Sequence, residues 1–188
     1  MSMDRPEQTD AELLVRIQRD DDATAAFDEL MARYKTPVIN FAYRMLGNAS
    51  DAEDVAQEVF VRVWQHRAEY DPRRKFTTWL FALARHTAID RLRYRQRHPT
   101  EPLADAVVAA SPARGPLAEA ADRELGSQIA AAVAELPEDQ RTALVLAEYH
   151  DQSHAEIGLI MHCSAKSVES RLYRARQFLR GKLAWLLD

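Results

Sequence analysis

Residues 153–180 read SHAEIGLIMHCSAKSVESRLYRARQFLR, and this stretch predicts two short helices joined by a tight turn. Ser153 and Glu156 stand three apart, the capping-box spacing in which each side chain bonds the other residue's backbone N–H at a helix start. Gly158 falls where the first helix must approach its partner closely, His162 falls in the turn, and Ser164 can cap the second helix. Val168, Leu172, Ala175, Leu179 and Leu183 recur at helical spacing as one apolar stripe. That phase leaves Lys166, Ser167, Ser170, Arg171, Arg174 and Gln177 on another face, as donors for phosphates and base edges. A helix-turn-helix of this kind fits a DNA major groove. The plainer alternative is a solvated basic helix in an ordinary bundle.

The rest of the 188 residues agrees with an all-α chain. Glycine is scarce, at 5 residues, and 47% of the chain is hydrophobic, with Ala, Leu, Arg and Glu dominant, so helix propensity outweighs strand propensity. The expected architecture is two small helical domains joined by a flexible linker, the C-terminal one containing the helix-turn-helix. A net charge of −4 argues against a nucleic-acid binder until the charges are placed. Residues 1–60 hold thirteen Asp/Glu against six Lys/Arg, whereas residues 73–97 hold eight Lys/Arg against Asp90 alone. From Lys166 to Lys182 six cations face only Glu169. Two separate basic patches imply two contacts with phosphate. A single cysteine, Cys163, excludes an intrachain disulfide. No stretch approaches the roughly 18 consecutive apolar residues of a membrane span, so a soluble, cytoplasmic protein is expected.

Upstream, Thr9 with Glu12 and Ser50 with Glu53 repeat the capping-box spacing. Helices are expected near residues 10–19, 22–35 and 37–46, with Pro37 at a first helical position and Gly47 as a stop. From Ser50, the positions Ala52, Val55, Ala56, Val59, Phe60, Val63 and Trp64 form one buried face, while Asp51, Asp54, Gln57 and Glu58 lie elsewhere. A loop over residues 69–75 contains Pro72, and a helix follows from Phe76 to Arg97. Prolines 99, 102, 112 and 116 break any pattern through about residue 117. Helix resumes near Asp122, and Pro137 opens another that runs to Tyr149.

On the helix from Phe76, Lys75, Trp79, His86, Arg93 and Arg97 fall on one side, and Phe76, Leu80 and Leu83 on the inward side. Cations interleaved with an aromatic suit single-stranded or distorted DNA, although Trp79 serves core packing equally well. The acidic face around Asp54 and Glu58 is either a solvated surface, a docking face for a basic helix or, with further ligands, a metal site. His150, His154, His162 and Cys163 match no zinc-ligand spacing. No Gly-rich phosphate loop and no nucleophile–base–acid set is recognisable, so neither a cofactor nor catalysis is expected. Two other classes remain to be weighed. An autonomous helix-turn-helix regulator would bind duplex without polymerase, and a nucleic-acid enzyme would turn over DNA or RNA alone.

In this order, the segments resemble the extracytoplasmic-function (ECF) group of bacterial RNA polymerase sigma factors, the two-domain members of the sigma-70 superfamily. The resemblance is carried by Asp51-Ala-Glu-Asp-Val-Ala-Gln-Glu-Val-Phe60, by Phe76-Thr-Thr-Trp-Leu80 with Ala88-Ile-Asp-Arg-Leu92, by Leu136-Pro-Glu-Asp-Gln-Arg141, and by Ser167-Val-Glu-Ser-Arg-Leu-Tyr-Arg-Ala-Arg176. It implies a non-enzymatic initiation factor that binds core RNA polymerase, recognises −10 and −35 promoter elements and assists DNA opening. Residues 1–98 would then be a region 2-like domain, 99–121 a linker, and 122–188 a region 4-like domain. By the same resemblance Asp51, Asp54, Gln57 and Glu58 would contact polymerase. Tyr70, Arg73, Arg74, Lys75, Trp79, Arg85, His86 and Arg93 would serve the −10 element, and Lys166, Ser167, Ser170, Arg171 and Arg174 the −35 element. An anti-sigma factor is a further expected partner.

Two departures qualify the resemblance. Housekeeping members carry a tryptophan pair where this chain has small or aliphatic residues within Ala82–Ala84, and relatives often hold Asn at His86, which implies weaker intrinsic melting and a stricter promoter requirement. His162 occupies a turn position where glycine is common. Histidine tolerates a left-handed backbone better than most side chains, so the turn is expected to form.

Overall fold

The structure, a computed structural model, describes residues 8–98 and 116–186. Among the described residues eight α-helices run α1 (Asp10–Arg19), α2 (Ala23–Leu46), α3 (Ala49–Gln65), α4 (Phe76–Arg97), α5 (Pro116–Ala134), α6 (Glu138–Tyr149), α7 (His154–Met161) and α8 (Ala165–Lys182). No strand occurs among the described residues. In the N-terminal half, α2, α3 and α4 pack around Leu30, Phe41, Met45, Val59 and Leu80, all buried, with α1 laid against α2. In the C-terminal half, α6, α7 and α8 enclose Leu146, Ile157, Ile160 and Leu172. The halves touch each other, α7 lying against α4 and α6 against α2.

Both the Thr9–Glu12 and the Ser153–Glu156 capping boxes are closed in both directions. Three boundaries depart from expectation. First, α2 is continuous, with Pro37 inside it. An interior proline removes one helical hydrogen bond and costs about 3 kcal/mol, but Leu30, Val38, Phe41, Ala42 and Met45 bury one unbroken stripe across it. Tertiary burial therefore overrides the local break. Second, α3 starts at Ala49 rather than at a Ser50 cap. Gly47 is left-handed at φ 69° and ends α2, which throws Asn48 into an extended conformation where its side chain accepts the Asp51 N–H at 2.8 Å. Third, α5 begins at Pro116, inside the expected linker, with proline at the first helical position where its missing N–H costs nothing.

The loop after α3 is pinned from two sides. Gln18 of α1 donates to the carbonyls of Arg67 and Tyr70 at 2.8 Å each, and the Tyr70 hydroxyl donates to the Arg74 carbonyl. Arg73, Arg74 and Lys75 are thereby presented on a braced turn directly before α4.

Candidate polymerase and nucleic-acid interfaces

On α3 the four acidic-face residues separate by environment. Asp51 is largely buried and receives both Arg91, at 2.6 Å, and Arg95, at 3.1 Å, from α4. Its hydrogen bond raises the Arg91 pKa further, because the pair favours the cation. Asp51 therefore clamps α3 to α4. Asp54 shares Arg91 at 2.9 Å but remains mostly exposed. Gln57 and Glu58 lie open beside the exposed Val61, Glu58 being held by Arg62 at 2.6 Å. An outward patch of Asp54, Gln57, Glu58 and Val61 has the mixed polar and apolar character of a docking surface.

The residues assigned to the −10 element also divide. Tyr70 is buried, and in this conformation it faces the core rather than solvent. Burial raises its pKa, so it stays a neutral hydrogen-bond donor. Trp79 is half-buried in a cluster with Tyr70, 5.1 Å between centroids, and Phe76, 6.1 Å. Leu83, expected inward, is only half-buried, and Phe81, Ala84 and Ala88 take the inner face instead. Arg73 and Arg74 project outward with loose contacts to Asp71, and Arg93 is exposed. His86 is exposed and sits 3.2 Å from Asp90.

The second helix of the helix-turn-helix is fixed by its turn. His162 adopts the left-handed conformation at φ 53°, so the expected tolerance of histidine is used here. A Cβ on Gly158 would stand 2.7 Å from the Cys163 carbonyl oxygen, which explains glycine at that close approach. Taking Lys166 as origin and about 100° per residue, Ser170, Tyr173 and Gln177 fall within roughly 40° of it. All four are exposed, and with Arg174 on the flank they form the outward face of α8. Tyr173, an exposed aromatic absent from the expected set, was readable from that same spacing. Arg171 lies about 140° from Lys166 and points elsewhere, bonding Cys163 Sγ at 2.8 Å, Ser167 Oγ at 2.9 Å and Asp139 at 3.0 Å.

Asp139, at the start of α6, also accepts from Arg85 of α4 at 3.1 Å. Lys75 meets Glu156 of α7 at 2.7 Å, and that bond holds the Glu156 carboxyl down at about 2. Arg141 donates to the Met45 carbonyl at the end of α2 at 2.6 Å. Between these polar contacts His150 inserts its ring against Phe41, 5.8 Å, and Phe81, 4.6 Å, with Nε2 lacking a partner. Among the described residues no group of three or more His, Cys, Asp or Glu side chains is placed to hold a metal.

His150 makes this seam acid-sensitive. Burial, with the nearby Arg44 cation, lowers its pKa to about 4, while Asp151 acts weakly in the opposite sense. Above about 6.5 the imidazole is neutral both docked and unfolded, and the docked state keeps its full stability. As pH falls from about 6.5 towards about 4 the unfolded chain takes a proton that the docked chain refuses, and up to about 1.4 kcal/mol is lost per unit. Urea unfolding at pH 7 and pH 5 checks this, because His150→Gln should flatten the difference. An unchanged slope in that variant would assign the acid sensitivity to another group.

An acidic helix and a basic helix thus lie in one half, and a helix-turn-helix lies in the other. Residues 30–98 match the family described as "Sigma-70 region 2", and residues 127–179 match "Sigma-70, region 4". The ECF RNA polymerase sigma factor SigW of Bacillus subtilis is 37% identical over 84% of this chain and 89% of its own length. The ECF RNA polymerase sigma-E factor of Escherichia coli is 32% identical over 95% and 96%. Among solved structures, CnrH in complex with the cytosolic domain of CnrY matches with a TM-score of 0.72, 26% identity and coverage of 93% of this chain and 97% of that one. Bartonella quintana RpoE, solved with the anti-sigma factor NepR, shares the fold at a TM-score of 0.70 and 21% identity, over 84% and 96%. The chain belongs to the ECF RNA polymerase sigma factors. No described helix is long and apolar enough to cross a membrane.

Proposed function

We infer that the two halves divide one task. The chain is a non-enzymatic transcription initiation factor that binds core RNA polymerase and directs it to promoters, recognising −10 and −35 elements and assisting DNA opening. The observation that carries this reading is the presence of both sigma regions, in order, on a fold with an outward acidic patch on α3 and an outward polar and basic face on α8. Within it, Asp54, Gln57, Glu58 and Val61 dock on polymerase, and Asp51 positions that surface through Arg91 and Arg95. Arg73, Arg74, Lys75, Arg85, His86 and Arg93 serve the −10 element, with Trp79 available for stacking if Tyr70 and Phe76 release it. Lys166, Ser167, Ser170, Tyr173 and Arg174 serve the −35 element, with Arg171 on the flank for phosphate. Acting on polymerase places the protein in the cytoplasm. CnrH is bound by the cytosolic domain of CnrY, and we extend to this chain a protein partner of the anti-sigma class.

Reconstitution with core polymerase and a promoter library, followed by sequencing of transcript starts, tests the whole reading. Absence of any holoenzyme under mild ionic conditions would overturn it. Arg174→Ala removes a cation with no internal partner among the described contacts, so core binding should persist while −35-dependent transcription falls about tenfold or more, one good base or phosphate contact. Loss of core binding in that variant would mean the outward face of α8 has been misassigned.

A further inference from the structure

One side chain on the outward face of α8 has the wrong sign for phosphate. Glu169 is the only acid among residues 166–182, against six Lys and Arg. It is the fifth residue of α8, and the N-terminal residues of the second helix of a helix-turn-helix are those that reach base edges. By phase it lies about 60° from Lys166, on the side opposite Arg174, so that Tyr173, Lys166 and Ser170 stand between the two charges. Its side chain is 61% exposed, and its one ion-pair contact among the described residues is His154 Nδ1 at 3.7 Å, beyond hydrogen-bond reach. Arg176, on the same flank, is taken by Glu148 of α6 at 2.7 Å. We propose that Glu169 is a specificity-determining residue that selects a cytosine in the −35 element, its carboxylate accepting from the cytosine N4 amino group. The proposal rests on the assignment of the outward face of α8 to that element.

The base follows by elimination. A carboxylate accepts hydrogen bonds and donates none. In the major groove guanine presents two acceptors, N7 and O6, and thymine presents the O4 acceptor beside a methyl group, so both repel it. Adenine offers its N6 amino group but sets the N7 acceptor next to it. Cytosine offers the N4 amino group with no acceptor alongside. The acid also repels phosphate, so it weakens binding to every duplex and is offset only where the matching base supplies the donor. Pairing with His154 is too loose and too exposed to account for an acid at this place, because surface ion pairs contribute little. Glutamine has the same length but adds an amide donor, which fits the N6 and N7 groups of adenine. Glutamate and glutamine at residue 169 therefore select different bases at one promoter position.

The test uses holoenzyme assembled from core polymerase and the full chain, either wild type, Glu169→Gln or Glu169→Ala. Each is given a promoter library randomised across the −35 region, and transcripts are counted by sequencing. Wild type is expected to favour cytosine at one position, on one strand, about tenfold over the other bases. Glu169→Gln should reverse the cytosine-to-adenine ratio at that position by about tenfold or more and leave its neighbours unchanged. Glu169→Ala should flatten the position to within about threefold while total output on mixed promoters holds or rises, because a repulsion from phosphate is gone. Identical base profiles for all three forms, with a clear −35 preference in wild type, would overturn the role of Glu169 and leave the initiation reading standing. Equal weakening of every promoter together with a lower urea midpoint would also overturn it, since that is the signature of a structural pair with His154. A wild-type holoenzyme with no base preference anywhere in the −35 region would instead sink the assignment of α8 to promoter DNA, and the proposal with it.

Discussion

Gly158→Val is expected to abolish −35 reading while leaving the N-terminal half folded. The ideal Cβ position at Gly158 lies 2.7 Å from the Cys163 carbonyl oxygen, 3.5 Å from the Ala165 nitrogen and 3.6 Å from the Ser164 carbonyl carbon. All three are backbone atoms of the turn, so no side-chain rotation relieves the clash. Overpacking of this kind costs about 1–3 kcal/mol even for a modest insertion, and valine adds two further methyl groups in the same space. The turn is already held in the left-handed conformation at His162, which leaves it little freedom to yield. Relief requires α8 to move relative to α7, and with it Lys166, Ser170, Tyr173 and Arg174. Chemical unfolding should show a loss of about 2–4 kcal/mol, and the variant holoenzyme should no longer distinguish promoters with an intact −35 element from those without. Wild-type stability with retained discrimination would show that the two helices are not in contact at Gly158.

The sequence exposed the local features of this fold far better than its long-range ones, and the reason is the reach of the signals. Capping boxes, the apolar stripe of α3 and the turn at His162 are encoded over three or four residues, the repeat of the helix itself. Pro37 misleads because its local cost is overruled by burial on either side of it, which no short window registers. Tyr70 reads as a loop residue beside cations, yet Gln18, 52 positions earlier, ties its backbone down and turns its ring inward. Arg171 reads as a DNA donor by composition, whereas its helical phase and its pairing with Asp139, 32 positions away, turn it to the seam. Arg85 and Asp139 are 54 positions apart. Pairs at such separations leave no periodic trace, so the closed arrangement of the two halves was illegible while each half was plain. Tyr173 is the opposite case. Its spacing from Lys166 and Ser170 places it on the outward face, where its exposed ring does not match the residue types that mark a basic, polar face.

Phe41→Ala is expected to produce the largest single loss of stability. The ring is fully buried on α2 and meets Phe81 at 5.6 Å and His150 at 5.8 Å. It therefore belongs at once to the core of the N-terminal half and to the seam with the C-terminal half. Truncating a buried phenylalanine costs about 3–5 kcal/mol through lost transfer energy and the cavity left behind, a large fraction of the 5–15 kcal/mol typical of a domain. The cavity would also take away one wall of the slot that receives His150, so compaction should weaken along with stability. His150→Ala separates the two effects, since it removes the inserted ring without opening the α2–α4 core. It should loosen the seam and cost clearly less in urea unfolding than Phe41→Ala. Equal losses in the two variants would mean that docking of the halves, rather than the packing of α2 against α4, supplies most of the stability of the N-terminal half. A Phe41→Ala protein within about 1 kcal/mol of wild type would contradict both roles of the ring.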